Sequence, residues 1–149
     1  MPYPQIEVTV KYKCAGKRTD SPIVGNAAQA LEVIRAVCNK KQILWVEEAL
    51  MLCLDKGGKL MGWYRLSTGG TTETIMDVRM IATIAAKCAA SRIVIAHNHP
   101  SGNVEPGYGD VTATGKIRKG METIGMVLDD HIIFSEQKYF SFREGGLIG

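Results

Sequence analysis

Two of the chain's three histidines fall in one hexapeptide, His97-Asn98-His99-Pro100-Ser101-Gly102. It follows directly on residues 92–96, a run apolar on both faces that reads as an interior strand. Side chains alternate along an extended chain, so His97 and His99 point to one side and Asn98 to the other. Pro100 then stops the strand. Two imidazoles on one side of a strand's end are placed to share a metal ion. Asp110 follows eleven residues after His99, at the mouth of the next helix, and the loop between, with Gly102, Pro106, Gly107 and Gly109, can fold it back to them. Two histidines and a carboxylate with one position open make the layout of a catalytic zinc site, whose bound water has its pKa lowered to about 7. The same donors also suit iron or manganese. Such a water needs a general base nearby, usually a carboxylate. Glu47 and Glu48 precede the apolar run 49–54. They alternate in facing, so at most one of them looks into the site.

The elements that must hold these groups read as follows. Residues 5–12 alternate Ile6, Val8, Val10 and Tyr12 against polar neighbours, the pattern of a half-buried strand. Asn26 caps a helix with Gln29 as its capping-box partner. Residues 49–54 form a strand, Asp55-Lys56-Gly57-Gly58 a hairpin turn, and residues 60–66 the return strand. Residues 76–90 predict a helix with so thin a polar stripe (Arg79, Thr83, Lys87) that most of it lies buried against the sheet. A weaker helix covers 110–126, and residues 127–134 and 138–142 are closing strands. The order β-α-β-β-α-β-α-β-β points to an α/β domain with a mixed sheet.

Composition narrows the classes. With 149 residues, 46% hydrophobic and 22% charged, the chain is one globular domain, not a disordered segment. The net charge of +3 comes with a basic excess in residues 1–41, a solvated surface and only a weak footprint for nucleic acid. No two of Cys14, Cys38, Cys53 and Cys88 lie close enough for a zinc ribbon, so they read as core thiols in a reducing, cytoplasmic setting. No signal peptide and no membrane span are expected. Trp45 and Trp63 read as packing residues, Lys116, Arg118 and Lys119 as a solvated helix face, and His131 as a hydrogen-bonded core histidine. The contiguous His-Asn-His is unlike the dispersed residues of an HNH endonuclease.

Residues 97–110, H-N-H-P-S-G-N-V-E-P-G-Y-G-D, resemble the RadC-type JAMM motif of MPN/JAB domains. That motif is H-x-H-P with an aspartate eleven residues after the second histidine. The resemblance extends to residues 48–58 and 66–72, to Leu128-Asp129-Asp130-His131-Ile132-Ile133 and to Tyr139-Phe140-Ser141-Phe142. It implies a single domain over residues 1–149, with 1–25 as N-terminal strand and loop and 26–149 as core. The implied fold is α/β, layered like cytidine deaminases, with a curved mixed sheet packed around helices. His97, His99 and Asp110 map onto the ligands of one Zn2+, and Glu47, counted back from the Asp55 turn, onto the general base, with Glu48 as its near alternative. The implied activity is a JAMM-type metallopeptidase acting on an amide or isopeptide bond of a peptide or protein, in a branch labelled for DNA repair. A metal-binding interaction module on DNA-processing machinery, with little hydrolysis, is the alternative.

Two departures bear on this. Three residues before the aspartate the family carries a serine that helps hold the oxyanion; Gly107 stands there, as a positive φ at that position would explain. The N-terminal helical domain of full-length RadC proteins is absent from the sequence, so direct DNA contact is expected to be weak.

Overall fold

A computed structural model describes residues 3–13, 18–69 and 76–148. Its centre is β1 (Glu48–Leu54), buried at every position, as a strand covered on both faces must be. The Asp55 side chain accepts from the N–H groups of Gly57 and Lys59. With Gly58 at a φ of +86° this turns the chain back into β2 (Leu60–Thr68). β1 pairs antiparallel with β3 (Arg92–Asn98) on its other side. β3 pairs parallel with β4 (Val127–Phe134), and β4 antiparallel with β5 (Tyr139–Ser141). The sheet is therefore mixed, in the order β2-β1-β3-β4-β5.

Among the described residues, three α-helices cover it. Before β1 comes α1 (Ala27–Val37), capped by Asn26, whose side chain accepts from the Gln29 N–H. Gln29 reaches back to the Gly25 N–H, one residue short of a regular capping box. Ala27, Ala30 and Ile34 of α1 pack on Leu50, Leu52, Leu54, Val94 and Ala96. On the opposite face α2 (Val78–Lys87) and α3 (Tyr108–Thr123) pack on Ala49, Met51, Cys53, Ile93 and Ile95. α3 is the crossover that makes the β3–β4 pair parallel. Period-two alternation thus splits each central strand between two cores, and the same alternation carries through to the functional residues at its end.

Three expectations fail. Residues 3–13 form no strand: alternation chooses a buried face only once a neighbour supplies a ladder, and Ile6 and Val8 stay 87% and 62% exposed. Near its end the Tyr12 ring lies against Gly62 of β2. Within α2 only Ile81 and Ala85 are fully buried, because the alanine-rich helix meets the sheet along a narrow stripe and α3 covers the adjoining area. Trp45 and Trp63 are exposed, Trp63 lying under the Arg65 guanidinium on the outer strand. Among the described cysteines, Cys53 is buried and Cys38 and Cys88 half-buried, all three as free thiols; Cys14 lies outside the described residues. Burial, with Cys88 beside it, pushes the Cys53 thiol up to about 12. Among the described residues no helix is long and apolar enough to cross a membrane.

Candidate metal centre

His97 is the penultimate residue of β3, opposite Ala49 of β1, and so shares the α2/α3 face. Alternation returns the chain to that face at His99 and, just before the neighbouring strand, at Glu47. One ligand atom from each of Glu47, His97 and His99 lies within 4.8 Å of the others. Asp110 completes the group from the first turn of α3: Oδ1 is 3.0 Å from His97 Nε2 and Oδ2 3.4 Å from His99 Nε2. The two Nε2 atoms are 3.0 Å apart. The structure thus brings together all four residues that the sequence points to.

Each is held from behind. The Gly107 N–H donates to Asp110 Oδ2 at 2.7 Å, so one carboxylate tightens the helix start and faces the histidines. The positive end of the helix also favours its negative charge. Burial opposes ionisation of Asp110, yet the two imidazoles and the Gly107 N–H hold it well below the usual carboxylate range. The hydrogen bond to Asp110 in turn raises His99, against the burial that lowers it. His99 Nδ1 donates to the Asn103 carbonyl at 2.7 Å, across a loop whose Gly102 takes a φ of +85°. A carbonyl only accepts, so a neutral His99 keeps its lone pair on Nε2, facing the other donors.

Those contacts test whether a metal fits. Imidazole nitrogens and carboxylate oxygens, all lone-pair donors, converge on one point and separate by 3.0–3.4 Å. Ligand atoms about 2.0–2.1 Å from a tetrahedral zinc stand roughly 3.3 Å from one another. The donor set and its spacing suit one divalent ion.

Glu48 is on the other side. It is buried, with its carboxylate 3.1 Å from the Arg65 guanidinium and accepting from the Asn39 N–H at 3.2 Å. Between the two carboxylates the geometry therefore singles out Glu47 as the one beside the histidines. Asn98, facing away from the histidines, is fully engaged. Its Oδ1 accepts from the Glu48 N–H at 2.7 Å, and its Nδ2 donates to the carbonyls of Ile43 and Val46, each at 2.9 Å. The middle residue of the hexapeptide thus fastens the segment that delivers Glu47.

His131 is a fully buried core histidine, as expected, stacked on Phe142 with centroids 4.5 Å apart. Its partners were not legible: Nε2 is 2.8 Å from His97 Nδ1 and Nδ1 is 2.5 Å from the Thr114 hydroxyl. A signal for Thr114 did exist, since it is a polar residue on the Ala113–Ile117–Met121 stripe of α3, one turn after Asp110.

Gly107 has a φ of −81°, so backbone conformation does not demand glycine. A Cβ there would meet only Asp110 Oδ2, at an ordinary 3.5 Å. An open groove of about 570 Å³ is lined by His99 together with Ile43, Leu44, Pro100, Ser135 and Lys138.

Comparison with known proteins supports the same region. The family model of the RadC-like JAB domain matches residues 24–147. A UPF0758 protein of Porphyromonas gingivalis is 42% identical over 103 residues, 68% of this chain and 45% of its own length. One from Aquifex aeolicus is 32% identical over 143 residues, 96% of this chain and 59% of the relative. One from Streptococcus suis is 34% identical over 122 residues, 82% and 48%. The chain spans about half the length of these curated relatives.

Proposed function

The chain belongs to the RadC-like JAB domain family, and from that premise we propose that it is a metal-dependent hydrolase of amide or isopeptide bonds. His97, His99 and Asp110 hold the ion, which we take to be zinc, and Glu47 is the general base. The observation that carries this is that His97 and His99 share one cluster with Glu47 on one side and lie 3.0 and 3.4 Å from the Asp110 carboxylate on the other, beside an open groove. A divalent ion bound there supplies an activated water, with pKa near about 7, and polarises the scissile carbonyl.

The chain's own residues do the rest. Glu47, beside both imidazoles, takes a proton from the attacking water. As the water oxygen bonds to the carbonyl carbon and the C–N bond breaks, the same carboxyl returns the proton to the leaving amine. Asp110, held ionised, stays a ligand and is unsuited to carrying that proton. An extended peptide or an isopeptide-bearing lysine lies in the groove that His99 lines. The free thiols suit action in the reducing cytoplasm.

Gly107 is the observation that favours the second reading, an interaction module with little hydrolysis, since glycine offers no hydroxyl to a developing oxyanion. The test is to incubate zinc-loaded protein with a mixed peptide library and with a panel of lysine-ε-linked isopeptides, reading cleavage by mass spectrometry. Cleavage abolished by a chelator and restored by zinc is expected. Metal binding without any cleavage would leave the interaction module.

A further inference from the structure

We propose that Thr114 and His131 form a one-way hydrogen-bond chain that fixes the tautomer of His97 and leaves its Nε2 bare for the metal. This rests on His97 being a ligand, as proposed above, and adds a positioning pair behind it.

The direction of the chain follows from proton counting. The Thr114 hydroxyl has one hydrogen. Its oxygen lies 2.6 Å from the Asp110 carbonyl, which only accepts, so that hydrogen is spent there. The same oxygen lies 2.5 Å from His131 Nδ1 and must therefore accept from it, which puts the His131 proton on Nδ1. His131 is fully buried, its two ring nitrogens facing a hydroxyl and an imidazole and no carboxylate, a setting that favours the neutral ring, so it carries no second proton. Its Nε2 is then an acceptor, 2.8 Å from His97 Nδ1, and His97 donates from Nδ1. A neutral His97 with its proton on Nδ1 has its lone pair on Nε2, the atom that faces His99 Nε2 and Asp110 Oδ1.

The chain begins and ends on Asp110. Its backbone carbonyl orients Thr114 and its side chain faces His97, so the first turn of α3 sets both the carboxylate and the imidazole tautomer opposite it. Phe142 fixes the plane of the His131 ring, stacking on it at an interplanar angle of 14° while its N–H donates to the His131 carbonyl. A ligand histidine whose second nitrogen is held this way is worth about 10–100-fold in metal affinity.

The test is Thr114→Val, which keeps the shape and removes the hydroxyl, with Thr114→Ser as the variant that keeps it. Nitrogen NMR of the metal-free chains, at a mildly alkaline pH where the imidazoles are neutral, should find the parent's protons on Nδ1 of both His97 and His131. In Thr114→Val both rings should move toward the Nε2–H tautomer, and zinc affinity measured against a competing chelator should fall about 10–100-fold. Thr114→Ser should restore both readouts. If Thr114→Val does not fold, His131→Phe, which keeps the stack on Phe142, should show the same loss of affinity. A parent with its His131 proton on Nε2, or a folded Thr114→Val that binds zinc like the parent, would overturn the proposal. A parent that binds no zinc would overturn the metal reading instead, and the tautomers, read without metal, would still decide this one.

Discussion

On one face of the sheet Glu47 meets His97 and His99; on the other, one residue further along, Glu48 meets Arg65 and the Asn39 N–H. Asn98 likewise sits between two histidines in sequence and faces away from both. There the polar atoms of Glu48 and Asn98 each have a partner of opposite character: guanidinium on carboxylate, N–H on amide oxygen, amide N–H on carbonyl. That face is a finished structural joint. On the histidine face, two imidazole nitrogens and a carboxylate crowd together at 3.0–3.4 Å. Shared protons or one bound cation complete a cluster of that kind. Two carboxylates and three hexapeptide residues thus take opposite tasks by alternation alone, and the joint on one face is what holds the chemistry on the other.

The comparison can be broken from either side. His97→Ala should lose nearly all bound metal while the fold survives, read by elemental analysis and circular dichroism. The motif ends a strand whose core is apolar. Near-stoichiometric metal in that variant would remove the site. Glu47→Gln should keep the metal and lose about 10²–10⁴-fold in turnover on any substrate the library assay yields. Glu48→Gln should instead keep turnover and lower the melting temperature. If the two variants exchange phenotypes, the assignment of the faces is wrong.

Asn98→Ala attacks the joint. It strands the Glu48 N–H and frees two loop carbonyls, a cost of roughly 2–4 kcal/mol in denaturant unfolding. Metal affinity should change far less than turnover, because the ligands stay and only the segment carrying Glu47 loosens. Equal losses in both would mean that Asn98 supports the histidines directly. Gly107→Ser is the mildest change. With φ at −81° and space for a Cβ, the variant should be as stable as the parent or slightly more so, serine being the better helix cap by a few tenths of a kcal/mol. Its turnover should rise, by at most the roughly 10²–10³-fold that one oxyanion donor contributes. A stable variant with no gain would mean that another donor holds the oxyanion.

Much of this arrangement was legible in the sequence because it rests on short-range rules. Alternation gave the facing of His97, Asn98 and His99, and the Gly/Pro-rich loop allowed Asp110 to return. Glu47 was separable from Glu48 only by counting back from the Asp55 turn; the register sets Ala49 opposite His97, and Glu47, two residues earlier, lies beside the histidines. The failures come where a pattern needs a partner that sequence does not reveal. Residues 5–12 alternate like a strand but find no ladder among the described residues, and Trp45 is apolar but 80% exposed. His131 was recognisable as buried, but its contact with His97 spans the parallel β3–β4 pair, 34 residues apart. No local pattern encodes that separation.

The central claim is that His97, His99 and Asp110 hold one metal ion. Its most direct test is elemental analysis of the chain after equilibration with micromolar zinc and removal of the unbound ion by gel filtration. The expected result is about one zinc per chain, as three protein ligands and an open position require. A chain that emerges folded and free of metal would contradict the account.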